Sequence, residues 1–156
     1  MLDLTSTTSV AALAPGDITL FRFPVAEGTD DPATKVRPCL VFDRRTYGGD
    51  EFIDLAYGTT SRSRANAGYE LHVTRRRDID AAGLTSATRF ICARRVLVHP
   101  HHPGFLLPEG RDPFVGRISP DLMLRLQDLQ GKVRQALVEG WRSRPKLTVL
   151  DTPSNH

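Results

Sequence analysis

Along most of this chain apolar residues alternate with polar ones or gather in short runs, and only towards the C-terminus do they recur at helical spacing. Ile18, Leu20 and Phe23, with Thr19 and Phe21 between them, predict a strand over residues 17–23, opened by Pro15-Gly16 and closed by Pro24. The run from Val36 to Phe42 predicts a buried strand over residues 36–43, with an Arg37-Pro38 step at its mouth. Proline cannot donate to a strand ladder and keeps the residue before it extended, so Arg37 is held at an edge or a strand start. Further strands are predicted over residues 51–57 and 69–73, and one bent strand or two over residues 88–99. Between them fall a polar loop at 26–35, a turn at Gly48-Gly49 and an arginine-bearing loop at 59–66.

Residues 76–82 can make two helical turns closed by Gly83. The strongest helical signal comes last. Ser119 suits a cap, Pro120 the first helical position and Asp121 the positive end of the dipole. Leu122, Leu126, Leu129, Val133 and Leu137, with Met123 and Ala136, then form an apolar stripe that ends at Gly140. Residues 99–104 and 107–113 read as irregular. The expected organisation is a loosely held leader over 1–14, one domain over 15–140 and a disordered tail over 141–156. Five or six short strands with one long amphipathic helix predict a mainly β (α+β) fold, a small curled barrel with the helix on its flank.

At 156 residues, 40% hydrophobic and 25% charged, the chain fits a single domain with a modest core. None of its apolar runs approaches the roughly 20 residues of a membrane helix, and its N-terminus has neither a cationic start nor a sustained apolar stretch. A cytoplasmic protein without a membrane partner is expected. Cys39 and Cys92 each lie inside an apolar segment, as buried small hydrophobes do, rather than in a disulfide or metal pattern. His99, His101 and His102 form the one metal-like grouping, but a third ligand of defined geometry is missing. Phosphate-loop, dinucleotide and zinc motifs are absent from the sequence, so no cofactor is expected. The net charge is +3, and arginine outnumbers lysine and is clustered. Such a bias suits phosphate recognition, and it is also what a GC-rich genome produces.

The order of several segments carries a resemblance. Gly16-Asp17-Ile18 opens a strand ending Phe23-Pro24, Arg37-Pro38-Cys39-Leu40-Val41 forms the next, and Ala56-Tyr57-Gly58-Thr59-Thr60-Ser61 closes a third. Asp78 to Gly83-Leu84 and Val115 to Leu122 follow. From about residue 15 to about 137 this order resembles the PemK/MazF toxins, small ribonucleases of bacterial toxin-antitoxin pairs. The resemblance implies an SH3-like barrel, a homodimer, and a cognate antitoxin, often acidic, that covers the groove. It implies that Arg37 is catalytic and that Thr59 matches the active-site threonine, with Thr60 and Ser61 beside it. Some members also carry an arginine and an aspartate flanking one residue on the strand after the Gly-Leu exit. Here the acidic position falls on Ala93. His72, His99 and Asp54 are candidate substitutes, none fixed by spacing.

Cleaving RNA without a metal needs a proton taken from a 2′-hydroxyl, a proton given to the leaving 5′-oxygen, and a fixed positive charge on the pentavalent phosphate. Arg37 suits the last task. Gly58 would let a phosphate approach the backbone, and the Thr59 hydroxyl could donate to it, although hydroxyls after a strand are also common turn formers. Arg62, Arg64, Arg75, Arg76, Arg77, Arg94 and Arg95 could track an RNA backbone, and such runs are equally ordinary solvated faces. Tyr57 and Tyr69 offer stacking platforms for bases. The leading expectation is therefore a metal-independent toxin endoribonuclease acting on single-stranded RNA. A non-catalytic module that binds nucleic acid or protein is the alternative, and a toxin aimed at a protein such as a topoisomerase is a third.

Overall fold

Two glycines set the long central hairpin. Gly48 and Gly49 adopt φ values of 58° and 87°, a left-handed pair that matches the twist of antiparallel strands in a tight turn. In the computed structural model, which describes residues 10–22, 36–61, 68–139 and 146–150, this turn joins β2 (Val36–Tyr47) to β3 (Asp50–Thr59). β2 outruns the expected limit at 43 because its ladder with β3 continues up to the Tyr47–Asp50 pair beside the turn, and β3 outruns 57 because Gly58 and Thr59 pair with Phe90 and Arg89 of β5. The other strands are β1 (Asp17–Arg22), β4 (Glu70–Val73), β5 (Thr88–Val98), β6 (Phe114–Arg117) and β7 (Lys146–Val149). Among the described residues, Arg76–Ala81 form helix α1 and Pro120–Glu139 helix α2, and a helical turn ends at Ala11. Pro103–Phe105 and Pro108–Gly110 form short 3-10 turns.

The strands make one mainly antiparallel sheet in the order β4-β5-β3-β2-β1-β6, with β7 parallel to β5. Register shifts between Val41 and Asp43, and between Ala56 and Gly58, are bulges, which bend strands and increase their twist. The two ends of the sheet are linked through α1, which follows β4. A Cβ on Gly116 of β6 would come within 2.4 Å of the Ala82 backbone, and one on Gly83 within 2.1 Å of the Val115 carbonyl oxygen. The end of α1 therefore lies directly on β6, and only glycine fits at both points.

Both faces of the sheet are buried. Ile18, Leu40, Phe42, Ala56, Phe90 and Cys92 point to one face, where Leu126, Leu129 and Val133 of α2 pack on them. Fully burying one such side chain is worth about 1.5–3 kcal/mol, which ties α2 to the sheet. Ser119 Oγ caps α2 by accepting from the Leu122 amide at 3.3 Å. Gln130 Nε2 donates to the Phe42 carbonyl at 2.7 Å, at the bulge in β2. Leu137, expected on the apolar stripe, is instead exposed, and the expected stop at Gly140 lies outside the described residues. On the opposite face Phe21, Cys39, Val41, Leu55 and Val98 are covered by Val10, Leu13 and Phe105.

Three expectations are corrected. Val10 and Leu13 are core residues, so the leader is not loose up to residue 14. β7 falls in the segment expected to be a disordered tail and is held by pairing Arg94–Lys146 through Leu97–Val149. β6 forms where the lead-in to the last helix was expected, because Asp17–Arg117 and Ile18–Gly116 pair along β1. The loop at 26–35 and the predicted strand end at Phe23 lie outside the described residues. No helix among the described residues is long and apolar enough to cross a membrane.

Candidate functional site

Arg37 stands second in β2, opposite Phe21 of β1, and Thr59 ends β3. The hairpin that joins the two strands returns β3 along β2, with Cys39 opposite Tyr57, so the mouth of one strand meets the end of the other. Arg37, Thr59 and Thr60 open onto one cleft of about 530 Å3, together with Thr85, Ser86, Thr88 and Arg111. Leu20, Val36, Pro38, Gly58, Gly83, Leu84 and Val115 complete the lining, which among the described residues contains neither a carboxylate nor an imidazole. Two guanidiniums and five hydroxyls thus share a cleft with no acidic neighbour on its wall, a donor-rich setting for an anion.

The local chemistry explains each position. Pro38 leaves Arg37 extended at the start of β2, half-buried, with its guanidinium carbon 6.0 Å from the Tyr57 ring centroid. Thr59 is half-buried, and its Oγ1 accepts from the Ser61 amide at 3.1 Å, the turn-forming role open to a hydroxyl after a strand. Accepting that bond leaves the hydroxyl proton for a ligand. Gly58 has a different reason from the one expected. A Cβ there would meet Phe90 Cε1 and Thr88 Cγ2 at 2.8 Å and the Pro38 carbonyl oxygen at 3.0 Å, so the glycine is required by packing between strands.

Arg89, which sequence reasoning did not single out, anchors the segment that follows Thr59. It lies opposite Thr59 in the β3–β5 ladder, is paired with the buried Glu70, and donates through Nε to the Ser61 carbonyl. Arg111 was also missed, because it sits in an irregular stretch with no periodicity to mark it. No local pattern marks Arg89, since it is the pairing of β5 with β3 that puts it beside the threonine end of β3.

The arginines expected on the RNA path separate into groups. Arg62 and Arg64 lie outside the described residues. Arg75, Arg76 and Arg77 are exposed around the start of α1, and Arg76 pairs with Asp80 at 3.0 Å in the ordinary manner of a helix surface. Arg94 is exposed on β5. Arg95 is a correction: it lies inside the protein, paired with Asp54, with its guanidinium 4.6 Å over the Phe42 ring, and so presents nothing to a surface strand of RNA. Tyr57 is half-buried and packed against the core, and Tyr69 sits under Lys132 Nζ at 4.5 Å.

None of the candidate substitute bases lines the cleft. Asp54 is buried between Arg95 and Arg45, His72 lies 3.4 Å from Glu70 on β4, and His99 stacks on His101. Ala93, half-buried on β5, also falls outside the cleft lining. Cys39 and Cys92 are free and buried, and burial pushes both thiols up, Cys92 to about 12. Among the described residues no three His, Cys, Asp or Glu side chains are grouped so as to hold a metal ion. No protein-family model matches this chain, and no curated protein matches it.

Proposed function

We propose that the cleft binds a phosphodiester of single-stranded RNA and that the protein is a metal-independent endoribonuclease of the PemK/MazF toxin type. The observation that carries this reading is the meeting of Arg37, Thr59 and Thr60 with a second arginine, Arg111, at one cleft whose described walls hold no acid. In the reaction the 2′-hydroxyl attacks the adjacent phosphorus, the bond to the 5′-oxygen breaks, and negative charge grows on the nonbridging oxygens. Arg37 and the Thr59 hydroxyl donate to those oxygens, a preorganised stabilisation of the kind that an oxyanion site supplies. The proton leaving the 2′-hydroxyl and the proton gained by the 5′-oxygen pass through water. Products carry a 2′,3′-cyclic phosphate and a 5′-hydroxyl.

The bulged sheet, the seating of α1 on β6 and the packing of α2 on one face support an SH3-like barrel. With the family resemblance, this reading describes a cytoplasmic homodimer whose groove is covered by a cognate antitoxin. The cleft wall, without carboxylate or imidazole among the described residues, favours one alternative, a non-catalytic nucleic-acid-binding module. Incubation of single-stranded RNA with the pure protein in excess EDTA separates the two. Fragments with cyclic phosphate ends support the nuclease; binding without cutting supports the module; neither rejects both.

A further inference from the structure

A second cavity, of about 560 Å3, shares Arg111 with the cleft. Its volume falls within the roughly 300–1,000 Å3 of small-molecule pockets. Its apolar side is built from Phe105, Leu106 and Leu107, and its aromatic side from His99 and His101, whose rings stack at 5.2 Å with 29° between planes. The His101 amide donates to His99 Nδ1 at 3.1 Å, and Phe52 meets the His99 ring edge-on at 6.0 Å, so this imidazole face is held from two directions. The cavity is also one strand step from the cleft. Phe21, opposite Arg37 in the ladder, packs its ring on His102 at 5.1 Å and on Phe105 at 4.9 Å, and both belong to the cavity wall.

We propose that this cavity is a nucleobase subsite, an inference that rests on the phosphodiester reading of the cleft. RNA held at Arg37 runs past Arg111, which binds a neighbouring phosphate, and one base lodges between the His99–His101 pair and Leu106. Charge selects the base over the phosphate as occupant. Asp50 on the cavity wall opposes an anion there, and Glu51 beside it is already paired with Arg44 at 3.1 Å, whereas Arg111, at the junction, favours one. Stacking on aromatic faces accepts any base, because every base has a π-face.

The test uses a short 2′-O-methyl RNA, which cannot attack its own phosphate, and a set of copies each lacking one base. With the wild-type protein one abasic position should weaken binding about tenfold or more. Leu106→Ala removes the wall opposite the histidine pair at a position 70% exposed, so the fold is retained. That variant should bind the intact RNA as weakly as the wild type binds the critical abasic copy, and lose nothing further with it. His101→Ala should act in the same direction through lost stacking. A flat abasic scan, or a scan unchanged by both substitutions, overturns the subsite. Arg37→Ala tells the two readings apart: weakened binding there with a flat scan removes the subsite alone, whereas unaltered binding, or no RNA binding by the wild type, removes the cleft reading and the subsite with it.

Discussion

Arg95 and Asp54 form an ion pair inside the sheet, with 1% and 0% of their side chains reaching solvent. Arg45 Nε joins them at 3.1 Å from Asp54. Burial pushes the Asp54 carboxyl up while the two guanidiniums pull it back, and burial pushes the Arg95 guanidinium down. Satisfaction is incomplete, since Asp54 Oδ1 and Arg95 Nε have no hydrogen-bond partner among the described residues. This cation therefore serves the interior, in contrast with Arg37, whose guanidinium faces a cleft.

Removing one member of such a pair leaves a buried charge alone, which costs about 3–5 kcal/mol. Arg95→Met should fall at the low end, about 3 kcal/mol, because Arg45 still faces Asp54. Urea melts measure the loss. RNA affinity of the folded variant should be unchanged; lost affinity with stability intact would make Arg95 a nucleic-acid contact.

Thr59→Ala removes a donor to the phosphate and one turn bond. The turn bond is worth about 0.5–1.5 kcal/mol, so the domain should stay folded by circular dichroism while cleavage slows. Thr60→Ala should have the smaller effect. Cleavage lost with Thr60→Ala but kept with Thr59→Ala would put the functional hydroxyl one residue later.

Arg111→Ala tests the second cation. If it neutralises one phosphate, log affinity for single-stranded RNA should depend on log salt with a slope shallower by about 0.7. Equal slopes for variant and wild type would confine phosphate binding to Arg37.

Much of the scaffold was legible because the informative residues act locally. Pro38 fixes its neighbour Arg37 through its own ring, and Gly48-Gly49 encodes the turn that brings Thr59 back towards that arginine. Ser119, Pro120 and Asp121 mark the start of α2 for the same kind of reason. Arg94 and Arg95 are neighbours in one basic run, but alternation along a strand sends neighbours to opposite faces, and here one is exposed and the other buried. Pairings between distant segments were not legible. β7 has four residues with Val149 exposed, and its support is a parallel partner far upstream in β5. Arg111 reaches the cleft from an irregular stretch whose position depends on β6 pairing with β1.

The central claim is that Arg37 stabilises the charge developing on a phosphate in the cleft. Its most direct measurement is the single-turnover rate of single-stranded RNA cleavage in excess EDTA by wild type and by Arg37→Ala, at matched thermal stability. Losing one transition-state donor costs about 100- to 1,000-fold, and a drop of that size is predicted, with cyclic phosphate ends on the wild-type products. Equal rates for the two folded proteins would contradict the account.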